Sequence, residues 1–475
     1  MEDGKAPKLK RELGFRDLTL FYVVSLLTVR WIASAAASGP SSIAVWLLAL
    51  VGFFVPLTAS VLELSSRYPQ AGGLYIWTQH AFGDFAGFMS GWTYWMSNLA
   101  YFPAILYFAA GSLLFAVGDR GKALENESGY YMAFAVGMLA LITFLNMRGV
   151  KQGKWLNNAG AIGSSIPVLI LIALSVLYWR HHGSATQFTV ATMMPHLNVK
   201  NAVFWSTIAY AFAGAECASC MGDEIKNSRR TLPRALLFAG VVVTLGYMLG
   251  TVAMLVVMPS SEISGLGGFM TVVAAMCQGL GVSWLTPPVA IMVTIASLGA
   301  AGAYLSATAR IPFVAGIDNY LPAAFSRVHP RWNTPYISVL FYGITGMLFA
   351  FLGQAATSVK GAYDVLVSMS VISYFIPYIF LFASTLRIQR VPPGPEVIRL
   401  PGGKATAIVL GWVGLLSTLI TIVLSTIPAD DELNKPLAVA KTVGMTAVLI
   451  AVGVGTYALG KRRARRAAQA VLVQG

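Results

Sequence analysis

Residues 31–62 read WIASAAASGPSSIAVWLLALVGFFVPLTASVL, a stretch without a single Asp, Glu, Lys or Arg. An α-helix of about 20 residues crosses the hydrocarbon core of a bilayer, so this stretch is too long for one transmembrane span. Glycine and proline interrupt helices, and Gly39-Pro40 therefore divides the stretch. It predicts two consecutive transmembrane helices near the start of the chain.

The composition of the whole chain indicates the same class of protein. Of its 475 residues, 56% are hydrophobic and 11% are charged, and the mean hydropathy is +0.68. A soluble domain carries about 25% charged residues, because its surface must be solvated. The composition excludes a set of soluble domains and predicts an all-α polytopic membrane protein.

Uncharged stretches recur along the chain and predict twelve transmembrane helices, divided by prolines, glycines and polar clusters. No stretch resembles a separate soluble domain, and the polar, basic start does not have the form of a cleavable signal peptide. The predicted helices lie near residues 17–38, 41–66, 84–117, 129–147, 155–179, 200–222, 232–258, 284–312, 335–353, 361–386, 405–427 and 437–460.

The lysines and arginines lie mostly on one side of these helices. With the N-terminus in the cytoplasm, 25 fall in cytoplasmic segments, 7 in outer segments and one, Arg30, inside a span. Because positive residues are enriched in cytoplasmic loops, both termini are predicted to be cytoplasmic. We attribute the net charge of +14 to topology and expect no nucleic-acid partner.

Two predicted spans contain sequence that is unusual for a continuous membrane helix. The first carries SAAASGP at residues 34–40, after LTVR at residues 27–30, and the sixth carries AGAE at residues 213–216. Interrupted helices in corresponding positions of two repeats indicate the binding site of a transporter. Small residues also allow close helix packing, which is the alternative interpretation.

Three further stretches resemble signature sequences of the amino acid–polyamine–organocation superfamily, in that superfamily's order and spacing. The first runs over residues 63–75 (ELSSRYPQAGGLY) and is closed by AFG at 81–83. The second comprises residues 214–219 and 224–235, and the third comprises residues 309–325 and 333–335.

Within the superfamily, the chain is similar to bacterial glutamate/γ-aminobutyrate and arginine/agmatine antiporters. Trp92, Trp95 and Asn98 in the third span are similar to the latter branch. The resemblance implies a five-plus-five inverted-repeat fold in a single transmembrane domain, and transport of amino acids or their decarboxylation products. It divides the chain, residues 1–475, into repeat 1 (17–180), repeat 2 (200–386) and two extra helices (405–460).

The chain departs from the superfamily's pattern at two places. Leu-Thr-Val at residues 27–29 replaces the Gly-Ser-Gly whose backbone amides usually hold the α-carboxylate of the substrate. Ser164 and Ser165 stand in the region of the fifth span where many members place a lysine. We therefore expect neither the usual carboxylate cradle nor coupling through a lysine of the fifth span.

Arg30 is the most unusual residue of the predicted spans. At 1.5 Å per residue from Leu18, it lies about 18 Å into the membrane. An arginine there costs at least about 2.5–3.5 kcal/mol on insertion scales and should face a cavity or a partner. It could hold the substrate carboxylate in place of the missing amides, pair with Glu216, or extend its side chain to the interface.

The resemblance indicates further residues of a substrate site. Tyr210 aligns with the gate aromatic of the sixth span, whose ring can cover the substrate and face an ammonium group. Glu216 aligns with an acidic residue that influences proton-dependent gating in antiporters; alternatively it caps backbone amides. Asn98 offers an amide, and Ala301 replaces a bulky aromatic residue. The other predicted substrate-binding residues are Thr28, Val29, Tyr101, Ala213, Gly214 and Ser368.

Charged residues cluster at the predicted cytoplasmic helix ends. We interpret Glu63, Arg67, Glu224 and Arg310 as an ion-pair network that forms an inner gate. Charges at the ends of helices are also commonly just solvated, which is the alternative interpretation.

These observations predict a secondary transporter of amino acids in the plasma membrane, working by alternating access as an exchanger or proton-coupled symporter. The alternatives are a polyamine or organic-cation transporter of the same fold and, from another class, a membrane sensor. No set of catalytic groups such as H-E-x-x-H or a Ser/Lys dyad appears, so an enzyme is not predicted. We expect no metal or cofactor, an amino acid or amine substrate, a lipid bilayer around the protein, and a monomer or homodimer.

Overall fold

The computed structural model describes residues 11–195, 199–264, 266–318, 320–354, 359–427 and 435–474. In these ranges the chain forms helices and no β-strand. The predicted all-α class is thereby confirmed for the described residues.

Sixteen longer helices are joined by short helical turns. The longer helices are α1 (Phe15–Leu26), α2 (Val29–Ala37), α3 (Ser42–Arg67), α4 (Leu74–Phe82), α5 (Asp84–Leu114), α6 (Ser128–Met147), α7 (Val150–His182), α8 (Val199–Ala211), α9 (Ser228–Val257), α10 (Gly268–Gly279), α11 (Thr286–Thr308), α12 (Arg310–Ile317), α13 (Tyr336–Gln354), α14 (Val359–Ile388), α15 (Gly403–Ser425) and α16 (Lys435–Gln474). The short helical turns are Asp119–Lys122, Val190–Met193, Cys217–Glu224, Ser260–Glu262, Ser283–Leu285 and Ala323–Ser326, and α3 contains a π-helical turn at Leu50–Phe54.

Nine helical segments of the described ranges are long and apolar enough to cross a membrane. They are α1 with α2, α3, α5, α6, α7, α9, α11 with α12, α14 and α15. The helices α8, α13 and α16 occupy the places of the predicted sixth, ninth and twelfth spans but lie outside this set. The chain is therefore a multi-pass membrane protein, while the count of twelve spans and the inverted repeat stay predictions.

The first span is interrupted, but not where its small residues suggested. The helix breaks at Leu27 and Thr28, between α1 and α2, and α2 then continues to Ala37. The small-residue run is therefore helical through residue 37, because alanine is the strongest helix former, and it is irregular only at residues 38–40. The helix ends only before Gly39, which has φ +85°, a conformation that other residues rarely adopt.

The predicted interruption of the sixth span is confirmed. Helix α8 ends at Ala211, residues 212–216 form turns, and a 3₁₀ helix follows at Cys217–Glu224. Gly214 has φ +115°. A Cβ atom there would also overlap the Tyr304 hydroxyl, so both the backbone conformation and the space require glycine.

Helices α7 and α11 pack closely beside the first span. The Cα atoms of Gly160 and Gly299 face each other, so a Cβ built on Gly160 would lie 2.7 Å from the Gly299 Cα. Val24 of α1 contacts both glycines, and Ser164 bonds to the carbonyl of Ala161 in its own helix at 3.1 Å. The region where the superfamily often places a lysine is therefore occupied by close apolar packing.

The three signature stretches meet at one end of the helix bundle. Tyr75 of the first donates a hydrogen bond to Asp318 of the third at 2.6 Å. Gly72 of the first donates its backbone N–H to the carbonyl of Cys220, in the sixth-span segment between the two parts of the second, at 3.1 Å. Burial and the Asp318 carboxylate raise the pKa of Tyr75, which keeps this phenol protonated as the donor. The signature residues therefore close this end, which the charge pattern assigns to the cytoplasm.

The predicted inner-gate residues form two separate ion pairs rather than one network. Arg310 binds Glu224 through two hydrogen bonds, at 2.7 and 3.0 Å, with both side chains buried. Arg67 contacts Glu63, one helical turn away in α3, at 3.3 Å. Gln389, the first residue after α14, also donates to the Glu63 carboxylate.

The start of the described chain is attached to the Glu224 pair. The backbone N–H groups of Glu12 and Leu13 donate to the carbonyl of Glu224 at 3.0 and 3.1 Å. The backbone N–H of Lys226 donates to the carbonyl of Leu13 at 2.9 Å. Both interrupted spans are therefore tied together at the same end of the molecule.

We predict that Glu224→Gln loosens this end of the bundle. Removing one partner of a buried ion pair typically costs about 3–5 kcal/mol, because the remaining charge is left uncompensated. Cys220, fully buried in the same 3₁₀ helix as Glu224, should then react faster with a membrane-permeant maleimide, measured by peptide mass mapping. Glu262→Gln, an exposed carboxylate, is the matched control.

Cys277 of α10 serves as the internal reference for global unfolding. An unchanged Cys220 rate in folded Glu224→Gln protein contradicts the prediction, as does an equal acceleration at Cys277.

Candidate functional site

The structure places Arg30 beside the break of the first span, in the second position of α2. Its side chain is buried, at 1% exposure, and its Nε and Nη1 atoms have no hydrogen-bond partner. The guanidinium carbon lies 4.2 Å from the ring centre of Trp31 and 5.3 Å from that of Tyr101. Arg30 is therefore a buried cation enclosed by aromatic rings, with donors still available.

Glu216 does not neutralise this arginine. Both oxygens of its carboxylate accept hydrogen bonds from α14, at 3.1 Å from the Tyr374 hydroxyl and 2.9 Å from the Tyr378 hydroxyl. The side chain is fully buried beside the break of the sixth span. The possible structural pair of Arg30 with Glu216 is absent, and so is an extended side chain reaching the interface.

A tyrosine of α9 satisfies the backbone at the break of the first span. The hydroxyl of Tyr247 accepts from the N–H of Thr28 at 3.3 Å and contacts the carbonyl of Leu26. It also lies 3.2 Å from the carbonyl of Ala211, the last residue of α8. One hydroxyl therefore links the broken ends of both interrupted spans.

Two more tyrosines act on the break of the sixth span. The Tyr378 hydroxyl accepts from the N–H of Gly214 at 2.9 Å while it donates to Glu216. The Tyr304 hydroxyl lies 3.4 Å from the carbonyls of both Ser25 and Ala213. These hydroxyls replace the hydrogen bonds that the interrupted helices lose, in a region where lipid offers none.

These tyrosines were not among the predicted site residues. The available signal was a tyrosine in the interior of each of three spans, where its hydroxyl needs a partner. With aromatic residues at 12% of the chain, that signal does not distinguish these three from tyrosines that face lipid.

Aromatic rings surround the space next to Arg30. Tyr210, the predicted gate residue, packs edge-on against Trp31 at 5.3 Å and against Tyr374 at 5.5 Å between ring centres. Tyr101 and Tyr304 lie 4.9 Å apart. The structure thus brings the predicted residues Arg30, Tyr101 and Tyr210 into one buried aromatic cluster.

The other predicted residues are placed less uniformly. Thr28, Val29, Ala213 and Gly214 form or flank the two breaks, and Ala301 is buried in α11. Asn98 is buried, and its Oδ1 atom has no partner. Ser368 is exposed, and the structure gives it no contact with the aromatic cluster. Ser370, two residues further on, is buried and donates to the carbonyl of Leu366 in its own helix at 2.7 Å.

Arg30 is a charged donor whose Nε and Nη1 atoms have no hydrogen-bond partner, and the hydroxyl of Tyr101 beside it also lacks a partner. The backbone amides of Thr28 and Gly214 already donate to tyrosine hydroxyls, whereas the first N–H groups of α2 have no intrahelical acceptor. An uncompensated buried charge costs several kcal/mol, and a cation–π contact returns about 0.5–2 kcal/mol. The positive end of the α2 dipole adds to the field around Arg30, so a carboxylate here would gain from both.

Comparison with known proteins identifies the family. A sequence model of the amino acid permease family matches residues 13–452 of the chain. An uncharacterized transporter of Legionella pneumophila is 25% identical over 89% of this chain and 91% of its own length. A probable agmatine/putrescine antiporter, AguD of Lactococcus lactis, is 21% identical over 89% of this chain and 90% of its own length. The serine/threonine exchanger SteT of Bacillus subtilis is 27% identical over 88% of this chain and 93% of its own length.

These matches extend over nearly the whole chain and include both interrupted spans and all three signature stretches. The superfamily resemblance predicted from the sequence is confirmed. The chain belongs to the amino acid permease family, within the amino acid–polyamine–organocation superfamily of membrane transporters.

Proposed function

We propose that this permease transports amino acids across the plasma membrane by alternating access, as an exchanger or proton-coupled symporter. The observation that carries the proposal is the buried guanidinium of Arg30, which has two partnerless nitrogens and lies beside the break of the first span. In our account Arg30 binds the α-carboxylate of the substrate.

Arg30 suits a carboxylate better than any backbone group at the breaks. A guanidinium presents donors in a planar fork that matches the two oxygens of a carboxylate. The N–H of Thr28 donates to the hydroxyl of Tyr247, so a substrate carboxylate would have to displace this tyrosine to accept from the same N–H. The substitution of Leu-Thr-Val for Gly-Ser-Gly and the presence of Arg30 are two parts of one change in how the carboxylate is held.

The same site disfavours a purely cationic substrate. Arg30 repels a cation, and the carboxylate of Glu216 is occupied by two tyrosine hydroxyls rather than open to an ammonium group. An antiporter of agmatine and putrescine is among the relatives, so transport of amines is the competing function. Counterflow with amino acids and amines in one panel separates the two.

Glu216 is our candidate for proton-dependent gating. Its carboxylate and the N–H of Gly214 share the hydroxyl of Tyr378, at 2.9 Å each. A protonated carboxyl group gains a donor and loses acceptor capacity, so Tyr378 would have to reorient. Protonation of Glu216 would then change the hydrogen bond between the N–H of Gly214 and the Tyr378 hydroxyl. In our proposal the break of the sixth span, which this bond holds, is the point at which the helix moves during gating.

We propose that both termini are cytoplasmic, as the distribution of lysine and arginine indicates. Fusion of a periplasm-active phosphatase to the C-terminus should therefore give no activity in cells. Strong phosphatase activity would reverse this orientation.

Arg30→Gln should raise the KM for amino acid counterflow in proteoliposomes about tenfold or more. A hydrogen bond to a charged group contributes about 1.5–3 kcal/mol, and Arg30→Gln removes the charge and the fork together. Arg30→Lys keeps the charge without the fork and should have an intermediate KM. Arg120→Gln, an exposed arginine, is the control and should leave the KM unchanged.

Two results would overturn the proposed role of Arg30. One is an unchanged KM in folded Arg30→Gln protein. The other is counterflow of amines alone, since it would make the protein an amine carrier and Arg30 a structural residue. A folded protein that exchanges no member of the panel would favour the membrane sensor.

Glu216→Gln should remove most of the pH dependence of counterflow over about pH 5–8, because glutamine cannot titrate. The rate is measured with equal pH on both sides of the membrane, so no gradient drives the exchange. Glu127→Gln, an exposed carboxylate, is the control. If Glu216→Gln shows the wild-type pH profile, Glu216 has only the structural role of holding the tyrosines.

A further inference from the structure

A cavity of about 300 Å³ lies at the predicted cytoplasmic end of the bundle, away from the aromatic cluster. It is bounded by the C-terminal part of α3, the end of α14, the linker that follows α14, and the first turns of α15. The polar side chains that line it are Glu63, Gln389, Arg390, Arg399 and Lys404. No function derived above uses this cavity.

The linker between α14 and α15 is held against α3 by three contacts. Gln389 donates to both oxygens of Glu63 at 2.9 Å. Arg67 donates to the carbonyl of Val391 at 3.1 Å, and Ser66 accepts from the N–H of Ile398 at 3.0 Å. The cavity walls are therefore fastened to a membrane-spanning helix and are not the surface of a free loop.

The lining of the cavity is strongly positive. Arg390, Arg399 and Lys404 stand around it, and no carboxylate among the described residues pairs with any of them. Glu63 is the acidic side chain of the lining, and its oxygens are already engaged by Gln389 and Arg67. Arg67 adds a fourth cation behind Glu63, with a buried Nε atom that has no acceptor.

A positively charged cavity suits an anionic ligand. Its position favours the headgroup of a lipid as that ligand. It lies where three long apolar helices, α3, α14 and α15, reach one end of the bundle. Elsewhere on α15, Val409, Trp412 and Leu416 are exposed apolar side chains, with exposed fractions of 53–59%, as expected of a helix that faces lipid. Basic pockets between transmembrane helices on the cytoplasmic side are suited to anionic headgroups.

We propose that this cavity binds the phosphate of an anionic glycerophospholipid whose acyl chains lie in the surrounding bilayer. Arg390 at the beginning of the linker and Arg399 and Lys404 near its end hold the phosphate. A bound headgroup therefore joins the two ends of the linker and reinforces its attachment to α3 beside the Glu63–Arg67 pair. This site is independent of the proposed substrate site.

Native mass spectrometry of the full-length protein, with dioleoyl phosphatidylglycerol or phosphatidylcholine added in detergent, tests the site. We expect one phosphatidylglycerol molecule to bind at least tenfold more tightly than phosphatidylcholine. Arg399→Gln/Lys404→Gln should abolish this difference. Arg462→Gln/Arg463→Gln removes two exposed charges at the end of α16 and should retain it. If the double variant does not fold, the single variant Arg390→Gln is tested instead. It should weaken the preference for phosphatidylglycerol.

Equal affinity for the two lipids in the wild-type protein overturns the proposal. Equal losses in the two double variants also overturn it, since they indicate nonspecific attraction to basic residues. Inorganic phosphate is the third arm of the experiment. If millimolar phosphate displaces phosphatidylglycerol completely, the cavity is a site for a soluble anion and the lipid assignment is wrong.

Discussion

Two membrane helices of this permease are broken inside the protein, and a broken helix leaves backbone N–H and C=O groups that lipid cannot bond. Tyr247, Tyr304 and Tyr378 supply the missing partners from three other helices. Because Tyr247 contacts the ends of α1 and α8 together, the two breaks form one hydrogen-bonded unit. The geometry of the site depends on this unit, since it positions α2 and the 3₁₀ helix at Cys217–Glu224 around a common centre.

The tyrosine caps also determine which groups are left for a ligand. With the amides of Thr28 and Gly214 engaged, the guanidinium of Arg30 is a buried charged group with partnerless nitrogens, next to the partnerless hydroxyl of Tyr101. A buried cation without a counterion is costly, and this cost is the reason why we propose that an anion binds there. The carboxylate of Glu216 is hydrogen-bonded to α14 and does not pair with Arg30, so in our proposal it does not compete with the carboxylate of a substrate.

Local sequence predicted what depends on local physics. Uncharged stretches indicated the membrane helices, and residues 213–216 marked the break of the sixth span because Gly214 adopts a conformation that favours glycine. The break of the first span lies where the resemblance aligned residues 27–29 with the glycine motif, and not in the small-residue run from residue 34; its partner Tyr247 is 219 residues away from Thr28 in the chain. For the same reason the pairing of Arg310 with Glu224, the bond of Tyr75 to Asp318 and the exposure of Ser368 had no local signal. The family resemblance located the residues of the site, but their partners are long-range contacts that require the folded structure.

In our proposal Arg30 binds the substrate carboxylate while the tyrosine hydroxyls keep their hydrogen bonds to the backbone. An experimentally determined structure of the protein with an exchanged amino acid bound tests it most directly. The account predicts a carboxylate oxygen within about 3.2 Å of an Arg30 nitrogen, with the Tyr247 hydroxyl still on the N–H of Thr28. A carboxylate bound to the amide of Thr28, with Tyr247 displaced and Arg30 turned away, would contradict the account.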